Sequence, residues 1–261
     1  MKIGFIGAGN IASAIILGIT KDNFINKEDI LVYDILKCVS EKYENDGFVA
    51  CKNIEEIFVS DIIFLTVKPQ FYIDTLSKMG DIKNKVIVTV APGITIQKVA
   101  ACLDSSCSVI RTMPNTPLAV GEGMTVMARD KKVTDENFLF VKEMFEKSGK
   151  VAVLSEKLID ATVGISGSSP AYVFMFIEAL ADSGVFNGLD RETSYLLASQ
   201  AVLGSAKMLL ETGKHPGELK DMVCSPGGTT IRAVKALEDN NFKSAIMSAC
   251  NECYKKAKEL G

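Results

Sequence analysis

The chain opens on a glycine-rich run, Gly7-Ala8-Gly9-Asn10-Ile11-Ala12, set directly after the apolar segment Ile3–Ile6 and before an apolar-periodic stretch. Gly7 permits a tight strand-to-helix turn, Gly9 leaves room for a phosphate to approach the backbone, and Ala12 lets helix and strand pack closely. The unpaired N–H groups and positive end of the following helix would face the phosphates. This chemistry is dinucleotide binding. Asp34 ends the next apolar run, about 25 residues on, where an acidic side chain accepts hydrogen bonds from the adenosine ribose and repels a 2′-phosphate. Lys37 is near enough to offset that repulsion, so both NADH and NADPH stay open, with a lean to NADH. A solvated turn aspartate is the alternative for Asp34.

Asp221-Met222-Val223-Cys224-Ser225-Pro226-Gly227-Gly228-Thr229-Thr230 is the second concentrated signal. Two glycines in a first helical turn cost about 1 kcal/mol each relative to alanine, so a close approach must justify them, by a ligand or by a crossing helix. With Ser225 as N-cap and Pro226 at the first position, the N–H groups of Gly227 to Thr230 point outward as a pocket for a substrate carboxylate. Ser225, Thr229 and Thr230 add neutral hydroxyls. Ketone reduction commonly recruits an acid to protonate the developing alkoxide, yet the chain has one histidine, His215, beside Pro216-Gly217, where a turn or capping role is the ordinary one. A cyclic imine, whose nitrogen is protonated before hydride arrives, needs orientation and a modest donor instead.

These residues require a scaffold. Short β-branched runs at Ile3–Ile6, Ile30–Tyr33, Phe48–Ala50, Ile62–Val67, Val86–Val90, Ser108–Arg111 and Met124–Ala128 alternate with helix-like stretches, which reads as βαβ units around a mainly parallel sheet. Carboxyl ends of such strands bind ligands, and Thr66-Val67-Lys68-Pro69, Ala91-Pro92-Gly93 and Met113-Pro114-Asn115-Thr116-Pro117 follow three of them. Lys68 there is either a cofactor contact or a solvated lysine, and the proline loops alone would read as turns. After Lys150–Val153 the pattern is almost wholly helical, with a boundary near 154–164. Ser169-Pro170 and Ser225-Pro226 read as helix starts. Ala171 to Phe186 and Thr193 to Glu211 are apolar on nearly every face and must be covered, by a second copy in a dimer or by the first domain. The fold class is α/β: an N-terminal Rossmann dinucleotide-binding domain over 1–160 and a C-terminal all-helical dimerisation and substrate domain over 161–261.

The 261 residues are 48% hydrophobic with a net charge of -3, an ordinary globular composition that argues against a nucleic-acid partner. Ala171 to Phe186, interrupted by Glu178 and Asp182, is shorter than the roughly 20 apolar residues of a membrane span, and the start has no signal-peptide pattern. The expected place is the cytoplasm. Seven cysteines without framework spacing fit a reducing compartment. Cys250-x-x-Cys253 reads as packing, Lys142 to Lys150 as a solvated face, and no metal site is expected.

Together these residues resemble the pyrroline-5-carboxylate reductase family, over the full chain. Phe5-Ile6-Gly7-Ala8-Gly9-Asn10, Val67-Lys68-Pro69, Arg111 to Pro117, Gly164 to Tyr172, His215-Pro216-Gly217 and Asp221 to Thr230 carry the resemblance. It implies hydride transfer from NADPH or NADH to the cyclic imine 1-pyrroline-5-carboxylate, giving proline. It implies cofactor contacts from Ile6, Gly7, Ala8, Gly9, Asn10, Ile11, Asn53, Thr66, Val67, Lys68 and Pro69, with Ala91 to Gly93 and Met113 to Asn115 near the nicotinamide. Ser225, Gly227, Gly228, Thr229 and Thr230 would hold substrate, with Thr230 donating to the imine nitrogen. It also implies a homo-oligomer of dimers, often assembled into larger rings, whose substrate pocket borrows helices from a neighbour. Relatives often carry Ser, Thr or Arg where this chain has Asp34-Ile35-Leu36-Lys37. Two alternatives stand beside it: a reductase of another imine or β-hydroxy acid, and a non-catalytic dinucleotide sensor.

Overall fold

The computed structural model describes residues 1–260. Contacts divide the chain into two compact units, Met1–Ser168 with the chain's end from Glu252 onward, and Ser169–Asn251.

In the first unit the elements run β1 (Ile3–Ile6), α1 (Asn10–Thr20), β2 (Ile30–Tyr33), α2 (Lys37–Asn45), β3 (Val49–Ala50), β4 (Ile62–Leu65), α3 (Tyr72–Ser77), β5 (Val86–Thr89), α4 (Ile96–Ala100), β6 (Ser108–Met113), β7 (Gly123–Arg129), α5 (Asp135–Glu146), β8 (Gly149–Val153) and α6 (Glu156–Thr162). The described residues form one eight-stranded sheet in the order β3-β2-β1-β4-β5-β6-β7-β8. All neighbours are parallel except β6 and β7. Every expected strand is present.

Both sheet faces are covered, which is why the central strands β1 and β4 read as continuous apolar runs. Ile3, Phe5, Phe64 and Val88 face one core layer with Ala12 and Ile16 of α1 and Phe138, Val141 and Phe145 of α5. Ile6, Ile63, Leu65 and Ile87 face the other, with Tyr72 and Leu76 of α3 and Val99 of α4. A smaller cluster joins Met113, Val126, Ile159 and Val163 to Ala257 near the chain's end.

The sequence places a helix start at Ser169-Pro170, and the structure starts a helix there, at Ser169, but with no loop before it. A π-helical turn over Val163–Gly167 leads from α6 directly into α7 (Ser169–Phe186). Pro170 has no N–H to offer the carbonyl four residues back, at Ser166; the side-chain amide of Asn115 donates to that carbonyl instead, at 3.0 Å. The helical run therefore spans Glu156–Phe186, 31 residues with a mean hydropathy of 1.3 in its most apolar window. That is long and apolar enough to cross a membrane, which corrects the length argument made from Ala171 onward.

The second unit holds α7, α8 (Arg191–Thr212), α9 (Pro216–Val223), α10 (Thr229–Asp239) and the first half of α11 (Phe242–Leu260). Asp190 caps α8 by accepting from the Thr193 N–H at 2.8 Å. Few side chains in α7 and α8 are buried. Phe174, Met175, Leu196 and Leu210 are 63–78% exposed, leaving wide apolar faces uncovered within one chain.

Candidate active site

Strand register sets the dinucleotide end. Ile6 pairs with Tyr33 on one side and Leu65 on the other, so Gly7, Asp34 and Thr66 are the first residues beyond three adjacent strands. The strand order reverses between β1 and β4, the crevice where ligands bind in such sheets. The Thr66 hydroxyl, which lies 2.5 Å from the Gly7 carbonyl oxygen, donates to it and ties the two strand ends together. Gly7 holds φ at +94°, and a Cβ there would lie 2.8 Å from the Val67 nitrogen. Gly9, the cap of α1, faces open space with no atom within 4 Å of a would-be Cβ. Lacking a side chain, it leaves the first N–H groups of α1 available to an anion. The residues present therefore fit a dinucleotide pyrophosphate.

Asp34 is partly committed. One carboxylate oxygen accepts the Ala8 N–H and the other the Leu36 N–H, at 2.8 and 2.9 Å. It thus braces the glycine loop and also lines a cavity of about 570 Å³ with Tyr33, Ile35, Lys37, Glu41 and Cys51. Lys37 stands 3.6 Å from Glu41. Burial, with Glu56 nearby adding to it, pushes the Cys51 thiol up to about 11.

Other expected cofactor residues fall on the same strand ends. Lys68 is exposed, and Pro69 starts a short 3-10 turn. The hydroxyl of the wholly buried Tyr72 donates to the Leu65 carbonyl at 2.6 Å and accepts the Val90 N–H at 3.2 Å, joining the ends of β4 and β5. Sequence reasoning missed it, because a tyrosine in a short helix carries no mark of its partners. Burial holds that hydroxyl far above its ordinary titration range. Ala91 and Gly93 are buried beyond β5. Met113 is buried in the small cluster. Asn115 is engaged at both ends, donating to Ser166 and accepting the Met124 N–H at 2.9 Å. Asn53 reciprocally caps the turn after it with Glu56, by a backbone and a side-chain bond.

In the second unit the run from Ser225 to Thr230 differs from its sequence reading. The helix after it starts at Thr229, with Gly228 as its cap, and Ser225 does not cap it. Ser225 to Gly228 form a tight turn closed by the Gly228 N–H on the Ser225 carbonyl at 3.1 Å, with Gly227 at φ +69°. Pro at the second position and a left-handed glycine at the third suit such a turn, and propensity alone does not separate it from a helical first turn. The glycines therefore lie before the helix. The open N–H groups become those of Thr229, Thr230 and Ile231, since a glycine cap leaves them without a side-chain acceptor. The hydroxyls of Ser225, Thr229 and Thr230 belong to this same turn and first helical residues. His215 caps α9, its Nδ1 accepting the Gly217 N–H at 3.1 Å.

Residues 2–93 match the family described as NADP oxidoreductase coenzyme F420-dependent. Residues 156–260 match pyrroline-5-carboxylate reductase dimerisation. The pyrroline-5-carboxylate reductase of Escherichia coli (strain K12) is 44% identical over 263 residues, covering 99% of this chain and 98% of that one. Its counterpart in Methanosarcina acetivorans is 38% identical, covering 100% and 98%. Among solved structures, Plasmodium falciparum pyrroline carboxylate reductase with NADP bound matches at a TM-score of 0.93 and 34% identity, over 100% of this chain and 98% of that one. The Streptococcus pyogenes enzyme matches at 0.92 and 31%, over 99% and 98%. Prephenate dehydrogenase from Aquifex aeolicus, at 15% identity and a TM-score of 0.54, shares the fold alone. With such identity held along the entire chain, it belongs to the pyrroline-5-carboxylate reductase family of NAD(P)H-dependent oxidoreductases.

Proposed function

We propose that this chain reduces 1-pyrroline-5-carboxylate to L-proline, with residues 1–160 serving the cofactor and 161–261 serving substrate and dimerisation. The observation that carries the reading is the glycine-capped start of α10, whose first N–H groups and neighbouring hydroxyls lie open. A helix N-terminus of this kind favours a carboxylate by its free donors and its positive end. Thr229, Thr230 and Ile231 hold the substrate carboxylate by their N–H groups, with the Ser225 and Thr229 hydroxyls beside it. The Thr230 hydroxyl orients the ring nitrogen. NAD(P)H, when bound, supplies the hydride that the C=N carbon accepts. The nitrogen carries its proton before transfer, so no strong acid is required of the protein, in keeping with the capping role of His215.

Gly7, Ala8, Gly9, Asn10 and Ile11 cradle the pyrophosphate, with Ile6, Asn53 and Thr66 to Pro69 along the cofactor and Ala91, Gly93, Met113 and Asn115 toward the nicotinamide. At the adenosine end NADH is favoured over NADPH. Asp34 and Glu41 line that cavity, and Lys37 stands beside Glu41, which leaves a 2′-phosphate poorly matched. The apolar faces of α7 and α8 are covered by a second copy, giving a homo-oligomer built from dimers. The enzyme works in the cytoplasm on a small molecule, without nucleic acid or membrane.

The test is oxidation of NADH and NADPH by purified protein with 1-pyrroline-5-carboxylate, repeated on Thr230→Ala. Turnover faster with NADH, and at least ten-fold slower in the variant with dinucleotide affinity unchanged, supports the reading. No oxidation with either cofactor overturns it.

A further inference from the structure

Among the described residues the largest fully buried side chain is a charge, Arg111 on β6, only 1% exposed. A buried guanidinium persists only if paired and hydrogen-bonded, and its partners lie on α6. One Asp160 oxygen accepts both from Arg111 and from the Gly93 N–H, the latter at 3.2 Å. A Glu156 oxygen lies 3.6 Å from Arg111 and accepts the Ile96 N–H at 2.7 Å. The two carboxylates, one turn apart, thus pin both ends of the loop from Gly93 to Ile96, which the arginine keeps in register with β6. Gly93 itself sits at φ +75°.

An ion pair that served only to fill the core would need no backbone partners in a distant loop. Hydrogen bonds to a charged acceptor are roughly twice as strong as neutral ones, so the two carboxylates tie this loop down more firmly than neutral side-chain acceptors would. The geometry points to Asp160, kept in place by Arg111, as a positioning residue that sets the Ala91–Gly93 loop for hydride transfer, with Glu156 as the companion tie. The inference rests on the proposal that this loop borders the nicotinamide.

Asp160→Asn keeps an oxygen for both donors, whereas Asp160→Ala removes it. In Asp160→Ala, kcat per folded enzyme is expected to fall roughly 10- to 100-fold, the range that small misplacement of reacting groups produces. The isotope effect on kcat with NADH deuterated at the transferred position is expected to rise, while affinity for ADP-ribose stays within about two-fold, because the adenosine end is untouched. Asp160→Asn is expected to recover most of the lost rate. Should Asp160→Ala not accumulate as folded protein, Glu156→Ala, at a side chain a third exposed, makes the same test at the Ile96 tie. Folded variants with wild-type kcat and isotope effect but lowered Tm would overturn the positioning role. Absence of turnover in the wild type would instead refute the reaction on which the inference rests.

Discussion

Alanine placed at Gly9 and at Gly7 should separate binding from folding, because the two glycines answer different demands. At Gly9 the backbone is extended, φ -75° and ψ -167°, and a Cβ would meet nothing within 4 Å. Gly9→Ala should fold normally and gain up to about 1 kcal/mol from the reduced freedom of the unfolded chain. The same methyl would stand where the proposed pyrophosphate approaches the N-terminus of α1. Losing one hydrogen bond to a charged phosphate costs about 1.5–3 kcal/mol, so NADH binding should weaken roughly 10- to 100-fold. At Gly7 the balance inverts. Its φ of +94° and the Val67 nitrogen and Thr66 carbonyl carbon at 2.8 and 2.9 Å from a Cβ leave no room, and both neighbours are backbone. A left-handed conformation costs an L-residue about 1–2 kcal/mol before that clash is counted, so Gly7→Ala should lower Tm by several degrees. Thermal melts and isothermal titration with NADH on the two variants are the assay. Wild-type affinity in Gly9→Ala would refute the placement of the phosphates, and an unchanged Tm in Gly7→Ala would refute the packing at the β1–β4 crevice.

Tyr72→Phe removes the hydroxyl that joins Leu65 to Val90 and leaves buried backbone groups unsatisfied, at about 1–3 kcal/mol; a chemical denaturation curve should show that loss, and equal midpoints would refute it. Leu196→Arg and Leu210→Arg place charge on apolar faces now exposed within one chain, so size-exclusion chromatography should show a shift from oligomer toward a 28.2 kDa monomer; an unmoved peak would place the contact elsewhere. Cys51, raised from 9.0 to about 11 chiefly by burial, should alkylate roughly 100-fold more slowly at pH 8 than a thiol at its ordinary value. Because its folded value is the higher one, the stability it contributes is intact below its ordinary range and lost as pH rises through about 11. Iodoacetamide labelling followed by mass spectrometry reads the first effect, and rapid labelling of Cys51 at pH 8 would refute it.

The sheet and the dinucleotide loop were legible because their signals are local. Strands buried on both faces read as near-continuous apolar runs, as Ile62 to Leu65 and Val86 to Val88 do, and a glycine pair between strand and helix announces the phosphate turn wherever the strand ends. Three features were decided only by tertiary structure. Ser169-Pro170 has the form of a helix start and α7 begins there, yet a helical run leads into it from α6, with Asn115, far away in sequence, satisfying the Ser166 carbonyl that Pro170 leaves. Ser225-Pro226 has the same form, yet Gly227 takes a left-handed turn there and the cap moves to Gly228; both conformations are local minima for those residues, so context chooses. Arg111 reads as one more residue of a β-strand, and nothing in its neighbours predicts that its charge is met by Asp160 and Glu156. A backbone preference is written within a few residues, whereas a buried charge finds its partner only when the chain has brought distant segments together.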